Sequence, residues 1–288
     1  MVRRRFRWRL ISRTLILGER TLIMGVLNVT PDSFSDGGKF LDARAAIRHA
    51  FEMAQAGADI LDVGGESTRP GSTGISAEEE IARIMPVLKG LRGRFPIPIS
   101  IDTRKAAVAE VALSEGAEIV NDISALQFDP ALAATVRQHR AGLILMHMRG
   151  KPETMHRRPF ARDVLRDVSA GLRAAVLRAR RAGISKSRLV IDPGIGFGKN
   201  SAQNFEILAR LSELTEIHLP IVVGTSRKTF LGAVAGGTKA ALHPEDRLAG
   251  TAATVAAAIL GGAHMVRVHD VREMVRAARI ADRIVGAS

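Results

Sequence analysis

Apolar residues arrive along this chain in short bursts, each closed by a polar residue. The run from Thr21 to Leu27 stops at Asn28 and gives way to Thr30, Pro31, Asp32, Ser33, Ser35, Asp36, Gly37 and Gly38, all turn formers. A helical pattern opens near Leu41. This layout predicts a buried strand that ends in an amide and feeds a long, donor-rich loop. A loop of that length between strand and helix is more often functional than decorative. The layout recurs. Strands are predicted over 22–27, 60–63, 97–101, 118–120, 142–146, 189–191, 220–223 and 265–268. Helices are predicted over 42–56, 77–92, 105–115, 130–139, 164–182, 204–213, 244–261 and 271–284. The last helix sets Val271, Met274, Val275 and Ala278 at i, i+3, i+4 and i+7, which is one apolar face.

Short β-rich runs alternating with longer helices predict an α/β protein with a parallel sheet. Eight such units in about 265 residues match a (β/α)8 TIM barrel, whose usual length is about 250. A doubly wound open sheet is the alternative, and only the count of units separates the two. Ahead of the first unit, Phe6, Trp8 and Leu10 alternate with Arg7 and Arg9, which is strand periodicity. Leu15, Ile16 and Leu17 can form a second strand. The division expected is an N-terminal arm over 1–20 and a barrel domain over 21–288. The arm is expected as a hairpin that plugs the bottom of the barrel, with its arginines solvated.

At 46% apolar and 25% charged residues, the 288-residue chain has the make-up of an ordinary globular protein. It has no cysteine, which excludes disulfides, thiolate metal sites and cysteine nucleophiles. No stretch is long and apolar enough to span a bilayer. The basic N-terminus lacks the apolar segment and cleavage site of a signal peptide, so a cytoplasmic protein is expected. Lysine and arginine number 42 against 29 acidic residues, a net charge of +13. A clustered excess of that size points to nucleic acid. Here the arginines are spread along predicted helices, aromatics make up 4% and tyrosine is missing, which is poor for stacking on bases. An arginine-rich proteome with an anionic small-molecule substrate is the better reading, with no nucleic-acid and no membrane partner.

In a barrel the chemistry sits at the C-terminal ends of the strands. Those ends read Asn28; Asp62, then Gly64, Gly65, Glu66, Ser67, Thr68, Arg69, Pro70 and Gly71; Asp102 and Thr103; Asn121 and Asp122; and His147. The remaining three give Asp192, then Pro193 to Lys199; Gly224, Ser226, Arg227 and Lys228; and Arg267, His269 and Asp270. Packing does not explain polar groups at the same end of eight apolar strands, although Asp122 and Asp270 can be no more than helix N-caps. Two chemistries emerge. Arg69, Lys228, Arg267 and His269, with Thr68 and Asn28, suit a phosphate or diphosphate with Mg2+ beside it, because magnesium keeps several waters and few protein ligands. Asp102, Asn121 and Asp192 suit a flat heterocycle with amino and ring N–H donors. The competing reading makes these carboxylates ion-pair partners of Lys228 or Arg267 inside the barrel mouth.

Other motifs fail. The stretch from Gly194 to Asn200 follows a strand and precedes a helix, as a phosphate-binding loop does, but it has neither the G-x4-G-K-S/T nor the G-x-G-x-x-G spacing. No tight histidine–carboxylate metal motif exists. The eight histidines are scattered. His139, His156 and His218 are expected on the surface, and His147 in the core or a loop.

The segments MGVLNVTPDSFSDGG from Met24, DVGGESTRPG from Asp62, IDTRK from Ile101, IVNDIS from Ile119, LMHMRGKPETM from Leu145, IDPGIGFGKN from Ile191, VGTSRKTFLG from Val223 and MVRVHDV from Met265 together resemble the dihydropteroate synthases. The resemblance runs from about Leu22 to Ile284, with the motifs in the family's order. It implies a barrel that condenses 6-hydroxymethyl-7,8-dihydropterin diphosphate with 4-aminobenzoate, giving 7,8-dihydropteroate and diphosphate in folate biosynthesis. It also implies roles. Asn28 is the Mg2+ ligand. Thr68, with Arg69 next to it, lies on the diphosphate side. Asp102, Asn121 and Asp192 grip the pterin, with Lys228 beside it, and Arg267 and His269 bind the diphosphate. Phe197 and Pro70 sandwich the aminobenzoate ring, with Ser226 and Thr229 near it or its carboxylate. Lys228, Asp102 and Asp192 are the expected catalytic set, and a homodimer is what the family suggests.

The implied reaction needs no protein nucleophile. Diphosphate leaves a methylene on an electron-rich dihydropterin, carboxylates stabilise the delocalised cation, and the neutral aniline nitrogen attacks. The first two loops would close and exclude water. Thr229 stands where the family often has serine, so its extra methyl can alter the fit of sulfonamide-type mimics. Two rivals remain: a related pterin-binding methyltransferase that serves a corrinoid, which has no need of a diphosphate site, and a basic nucleic-acid-binding or scaffold protein on this fold.

Overall fold

The computed structural model describes residues 3–30, 38–67, 74–150, 155, 160–235 and 242–287. Strands β1 (Phe6–Arg9) and β2 (Thr14–Leu17) pair antiparallel as a hairpin, with Trp8 opposite Leu15. Eight parallel strands follow: β3 (Leu22–Asn28), β4 (Ile60–Gly64), β5 (Ile99–Asp102), β6 (Ile119–Asp122), β7 (Gly142–Met146), β8 (Leu189–Asp192), β9 (Val222–Val223) and β10 (Met265–Val268). They are ordered β8-β7-β6-β5-β4-β3-β10-β9, and a bridge between Ile191 and Ile221 joins β8 to the chain entering β9. The sheet closes on itself, which excludes the open-sheet alternative. Helices α1 (Gly38–Gln55), α2 (Ala77–Leu91), α3 (Ala106–Ser114), α4 (Leu132–His139), α5 (Val164–Arg181), α6 (Ser201–Ala209), α7 (Thr229–Ala235), α8 (Leu248–Leu260) and α9 (Val271–Val285) form the outer shell. Among the described residues no helix is long and apolar enough to cross a membrane.

The elements depart from the sequence pattern in places that have a physical cause. α6 starts three residues before the predicted 204 because Asn200 and Gln203 form a reciprocal cap: Gln203 N donates to Asn200 Oδ1 at 2.9 Å, and Asn200 N to Gln203 Oε1 at 3.2 Å. The expected continuation to 213 is a separate 3-10 turn, Leu211–Ile217. β9 pairs over only two residues, since Pro220 brings no N–H to the ladder. The sequence pattern predicts no helix over α7, whose seven residues, Gly232 among them, are too short a run to show a period.

Alternation divides the core in two. Ile23, Leu61, Val63, Ile101, Val120, Leu143, Leu145, Ile191, Val223, Val266 and Val268 face outward into the helices and join one large cluster. Leu22, Met24, Ile60, Ile119, Ile144, Val190, Val222 and Met265 face the barrel axis and form a second cluster with Trp8, Leu10 and Leu17 of the hairpin. The hairpin therefore plugs the N-terminal end. Gly142 makes room for it: a Cβ there would lie 2.6 Å from Leu10 Cδ2 and 3.1 Å from the Trp8 ring. Trp8 Nε1 donates to Arg188 O at 2.8 Å, so the indole is buried without an orphaned donor.

The arginines of the arm divide. Arg4, Arg5, Arg7 and Arg9 are exposed, as expected. Arg3 is buried, which corrects the expectation of a wholly solvated set. It pairs with Asp282 of α9 and donates to Thr21 Oγ1 at 2.7 Å and Ala263 O at 3.0 Å. His264 adds a second tie. Its Nδ1 accepts from Ile221 N at 3.1 Å and its Nε2 lies 3.0 Å from Arg4 O, while burial drops its pKa to about 4 and keeps the ring neutral.

Candidate active site

The columns of inward residues that are apolar at the bottom become polar two positions on. Asp62 follows Ile60, Asn121 follows Ile119, Asp192 follows Val190 and Arg267 follows Met265, each on the same face of its strand. Strand pairing sets Asn28 beside Gly64 and Gly64 beside Asp102, and Asp102 beside Asn121. The strand geometry alone thus gathers these side chains at one mouth.

Arg267 is the centre of the group. Its Nε donates to Asp62 Oδ2 at 2.6 Å and its Nη2 to Asp102 Oδ2 at 2.7 Å. Asn121 Nδ2 donates to the same Asp62 oxygen at 3.1 Å. The other carboxylate oxygens, Asp62 Oδ1 and Asp102 Oδ1, are buried and meet no hydrogen-bond partner among the described residues. Burial pushes the Asp102 carboxyl up to about 7; Arg267 pulls against that and the nearby Asp62 charge adds to it. Burial alone would lower the pKa of Arg267, but Asp62 and Asp102 outweigh it and raise it. The ion-pair reading of the carboxylates is thus realised at Arg267, in a bridge that still leaves an acceptor oxygen on each acid.

Asp192 stands on the other side. Its Oδ1 accepts from Gly194 N at 2.7 Å, and burial raises its pKa against the pull of Lys228. The Lys228 ammonium bonds Ile195 O and lies 4.6 Å from the centroid of the Phe197 ring. Burial lowers it to about 8, with Asp192 holding it up. Ser226 Oγ accepts from His269 N at 3.1 Å and lies 3.0 Å from His269 Nδ1. Arg227 pairs with Asp270, Nε to Oδ2 at 3.1 Å. These contacts stitch the loop after β9 to the one after β10. Thr229 is the exposed first residue of α7.

Asn28 is half-buried at the end of β3, and its Oδ1 lies 3.6 Å from where a Gly64 Cβ would stand. Among the described residues no three His, Cys, Asp or Glu side chains gather as a metal cage. One neutral oxygen at the rim fits an ion held mainly by phosphate and water, as magnesium is.

The profile of the family described as pterin binding enzyme matches residues 24–269. The dihydropteroate synthase of Synechocystis is 45% identical over 267 residues, which cover 93% of this chain and 91% of that protein. The chain belongs to the dihydropteroate synthase family. Solved structures agree. The Clostridium difficile dihydropteroate synthase, determined in the presence of pteroic acid, is 44% identical with a TM-score of 0.87, covering 93% of this chain and 98% of its own. The Xanthomonas albilineans dihydropteroate synthase, determined with 4-aminobenzoic acid, is 40% identical with a TM-score of 0.90, covering 98% of each. The activity of the chain is that of a dihydropteroate synthase, a transferase of folate biosynthesis.

Against this dihydropteroate synthase frame, Asn28, Asp102, Asn121, Asp192, Phe197, Ser226, Lys228, Arg267 and His269 all lie at the C-terminal end of the barrel. Thr68, Arg69 and Pro70 lie outside the described residues, as do Pro31–Gly37, Gly71 and His156. His139 is partly buried against Glu110, at 2.8 Å, and His218 is exposed. Asp62 is a functional residue that the motifs leave without a role; its place at a strand end, two positions above the inward Ile60, is the signal that marks it. Behind the mouth, Lys105 Nζ bonds Glu66 Oε2 at 2.9 Å and Glu80 Oε2 at 2.6 Å. Nothing in the spacing of those three residues announced that cluster. Lys199 Nζ and His147 Nδ1, 3.1 Å apart, form a second buried contact behind the mouth.

Proposed function

We propose that the mouth of the barrel joins 6-hydroxymethyl-7,8-dihydropterin diphosphate to 4-aminobenzoate, and that its acidic and basic halves divide the work. One observation carries this reading. Arg267 is shared between Asp62 and Asp102, so the residue that faces a leaving diphosphate is tied to the residue that faces the pterin. Asp102, Asn121 and Asp192 accept from and donate to the edge of the pterin, and the buried oxygens Asp62 Oδ1 and Asp102 Oδ1 are matched to its N–H donors. Arg267 and His269 stabilise the charge that develops on the departing diphosphate, a task assigned also to Thr68 and Arg69. Magnesium, bound at Asn28, would supply further compensation for that charge.

As the methylene–oxygen bond breaks, positive charge spreads into the dihydropterin, where Asp102 and Asp192 stabilise it through a low-dielectric path. The aniline nitrogen attacks the methylene and loses a proton. Lys228 lies against both the turn bearing Phe197 and the Asp192 side, so it orders the two rings relative to each other. Phe197 supplies one wall for the aminobenzoate; Pro70 is its assigned counterpart, and Ser226 and Thr229 lie toward its carboxylate. We further propose a homodimer, supported by the outward apolar residues Leu248 and Leu260 on α8 and Ile280 and Ile284 on α9.

The deciding assay mixes folded protein, both substrates and Mg2+ and follows dihydropteroate and diphosphate. Equal amounts of the two products are expected. Folded protein that yields neither overturns the reading.

A further inference from the structure

The stretch Gly194–Ile195–Gly196–Phe197–Gly198 has the look of a phosphate loop, yet its amides face inward. Gly194 N donates to Asp192 Oδ1 at 2.7 Å, Gly196 N to Asn204 Oδ1 at 2.7 Å and Phe197 N to Gly194 O at 3.1 Å. No amide of these three is left to meet an anion. The three glycines take left-handed φ values of 66°, 83° and 67°, which only glycine adopts without strain. The turn also runs tight against the exit of β7: a Cβ on Gly194 would lie 1.9 Å from His147 O, and one on Gly198 2.3 Å from Arg149 O.

A backbone folded this way turns carbonyls toward one point, and carbonyl dipoles that converge in a buried place repel unless a cation meets them. Lys199 Nζ occupies that point. It lies 2.9 Å from Gly194 O, 3.0 Å from Phe197 O, 3.3 Å from His147 O and 3.1 Å from His147 Nδ1, and Lys199 is 3% exposed. Burial lowers the Lys199 amine to about 7, with Asp192 holding it up. In its charged form it only donates, so His147 Nδ1 is the acceptor and that ring is neutral; burial, with Lys199 and Arg149 nearby, drops the His147 pKa to about 3. Its Nε2, 3.6 Å from Asp167 Oδ2, makes no ion pair in that state. The same turn is held from the mouth side by Lys228, through Ile195 O.

We propose that Lys199 is a positioning residue for the aminobenzoate half of the reaction. It touches no substrate. It fixes the carbonyl of Phe197 and with it the ring that walls the aminobenzoate site, an inference that rests on the role given to Phe197 above. The pterin is assigned to Asp102, Asn121 and Asp192, and of these Lys199 reaches only Asp192, indirectly, through Gly194 and by charge.

The test is steady-state kinetics on the intact enzyme, with each substrate varied in turn. Lys199→Met takes the side-chain donor from Phe197 O and His147 O and leaves Gly194 O with the Phe197 amide alone, and the KM for 4-aminobenzoate should rise about tenfold or more, with the KM for the pterin diphosphate within about twofold. Lys199→Gln, which keeps an N–H donor, should restore part of the loss and decides the matter if the methionine variant does not fold. Lower thermal stability with both KM values unchanged would reduce Lys199 to a structural lysine and overturn the proposal. Phe197→Ala is run alongside. If it leaves the aminobenzoate KM unchanged, the wall assigned to Phe197 fails, whatever Lys199 does. If the unaltered protein makes no dihydropteroate, the proposed function fails first.

Discussion

The two ends of the barrel are made by the same strands, one step of the alternation apart. At the lower end the inward positions are Leu22, Met24, Ile60, Ile119, Ile144, Val190, Val222 and Met265, roofed by Trp8, Leu10 and Leu17. At the upper end the same columns carry Asp62, Asn121, Asp192 and Arg267, and Asp62, Ser100 and Asp102 each hold a buried oxygen with no partner among the described residues. The lower end gains free energy by removing apolar surface from water. The upper end loses some, because it buries charge in incompletely paired form. A fold can keep such a mouth only because its other end is closed so well. Stability and chemistry are thus separated along the barrel axis, and substitutions at the two ends should fail in different ways.

The sharpest break of this comparison is Asp192→Asn. The amide keeps the oxygen that accepts from Gly194 N but loses the charge that faces the pterin and Lys228. Turnover should fall about a thousandfold, while the unfolding midpoint shifts by no more than about 3 °C. If both collapse together, the upper end is structural after all. Trp8→Ala tests the other end. It opens a cavity beneath the strands and strips the contacts that cover Gly142, so stability should fall by about 3–5 kcal/mol. Turnover per folded molecule, read well below the unfolding midpoint, should stay within about twofold. A selective loss of turnover in this variant would mean that the plug and the mouth are coupled.

The same separation explains what could be read from the residues. Eight apolar bursts with polar ends show the barrel, and the parity of Asp62, Asn121 and Asp192 with Ile60, Ile119 and Val190 below them shows which end is the mouth. The family motifs then give each polar group a role. Pairing is what a linear pattern hides. Asp62 lies 205 residues from Arg267, and nothing along the chain says that one guanidinium on β10 reaches past β3 to carboxylates on β4 and β5. Lys199 ends a motif that imitates a phosphate loop, and only the direction of the backbone amides reveals a cation held by carbonyls. Arg3 reads as one more solvated arginine among Arg4, Arg5, Arg7 and Arg9, until Asp282 on the last helix is brought beside it. Helix α7, at seven residues, is too short to show a period.

The smallest effect is also the most specific to the mouth. The Asp102 carboxyl is raised from 3.8 to about 7, chiefly by burial. Between those two values the unfolded chain gives up its proton and the folded protein keeps it. The native state therefore binds more protons in that window, and stability declines as pH rises through it. The contribution is complete below the unfolded pKa and is lost as pH passes the folded one. Asp102→Asn has no proton to lose, so the fall in unfolding free energy from about pH 4 to about pH 7 should be shallower in the variant than in the parent. Denaturant titrations at several pH values across the window give both slopes. The offset at any one pH is less informative, because the variant also weakens a bond from Arg267; the difference in slope isolates the proton. Parallel slopes would mean that Asp102 is already ionised in the folded protein, with Arg267 fully compensating it, and the mouth would then hold less strain than its burial implies.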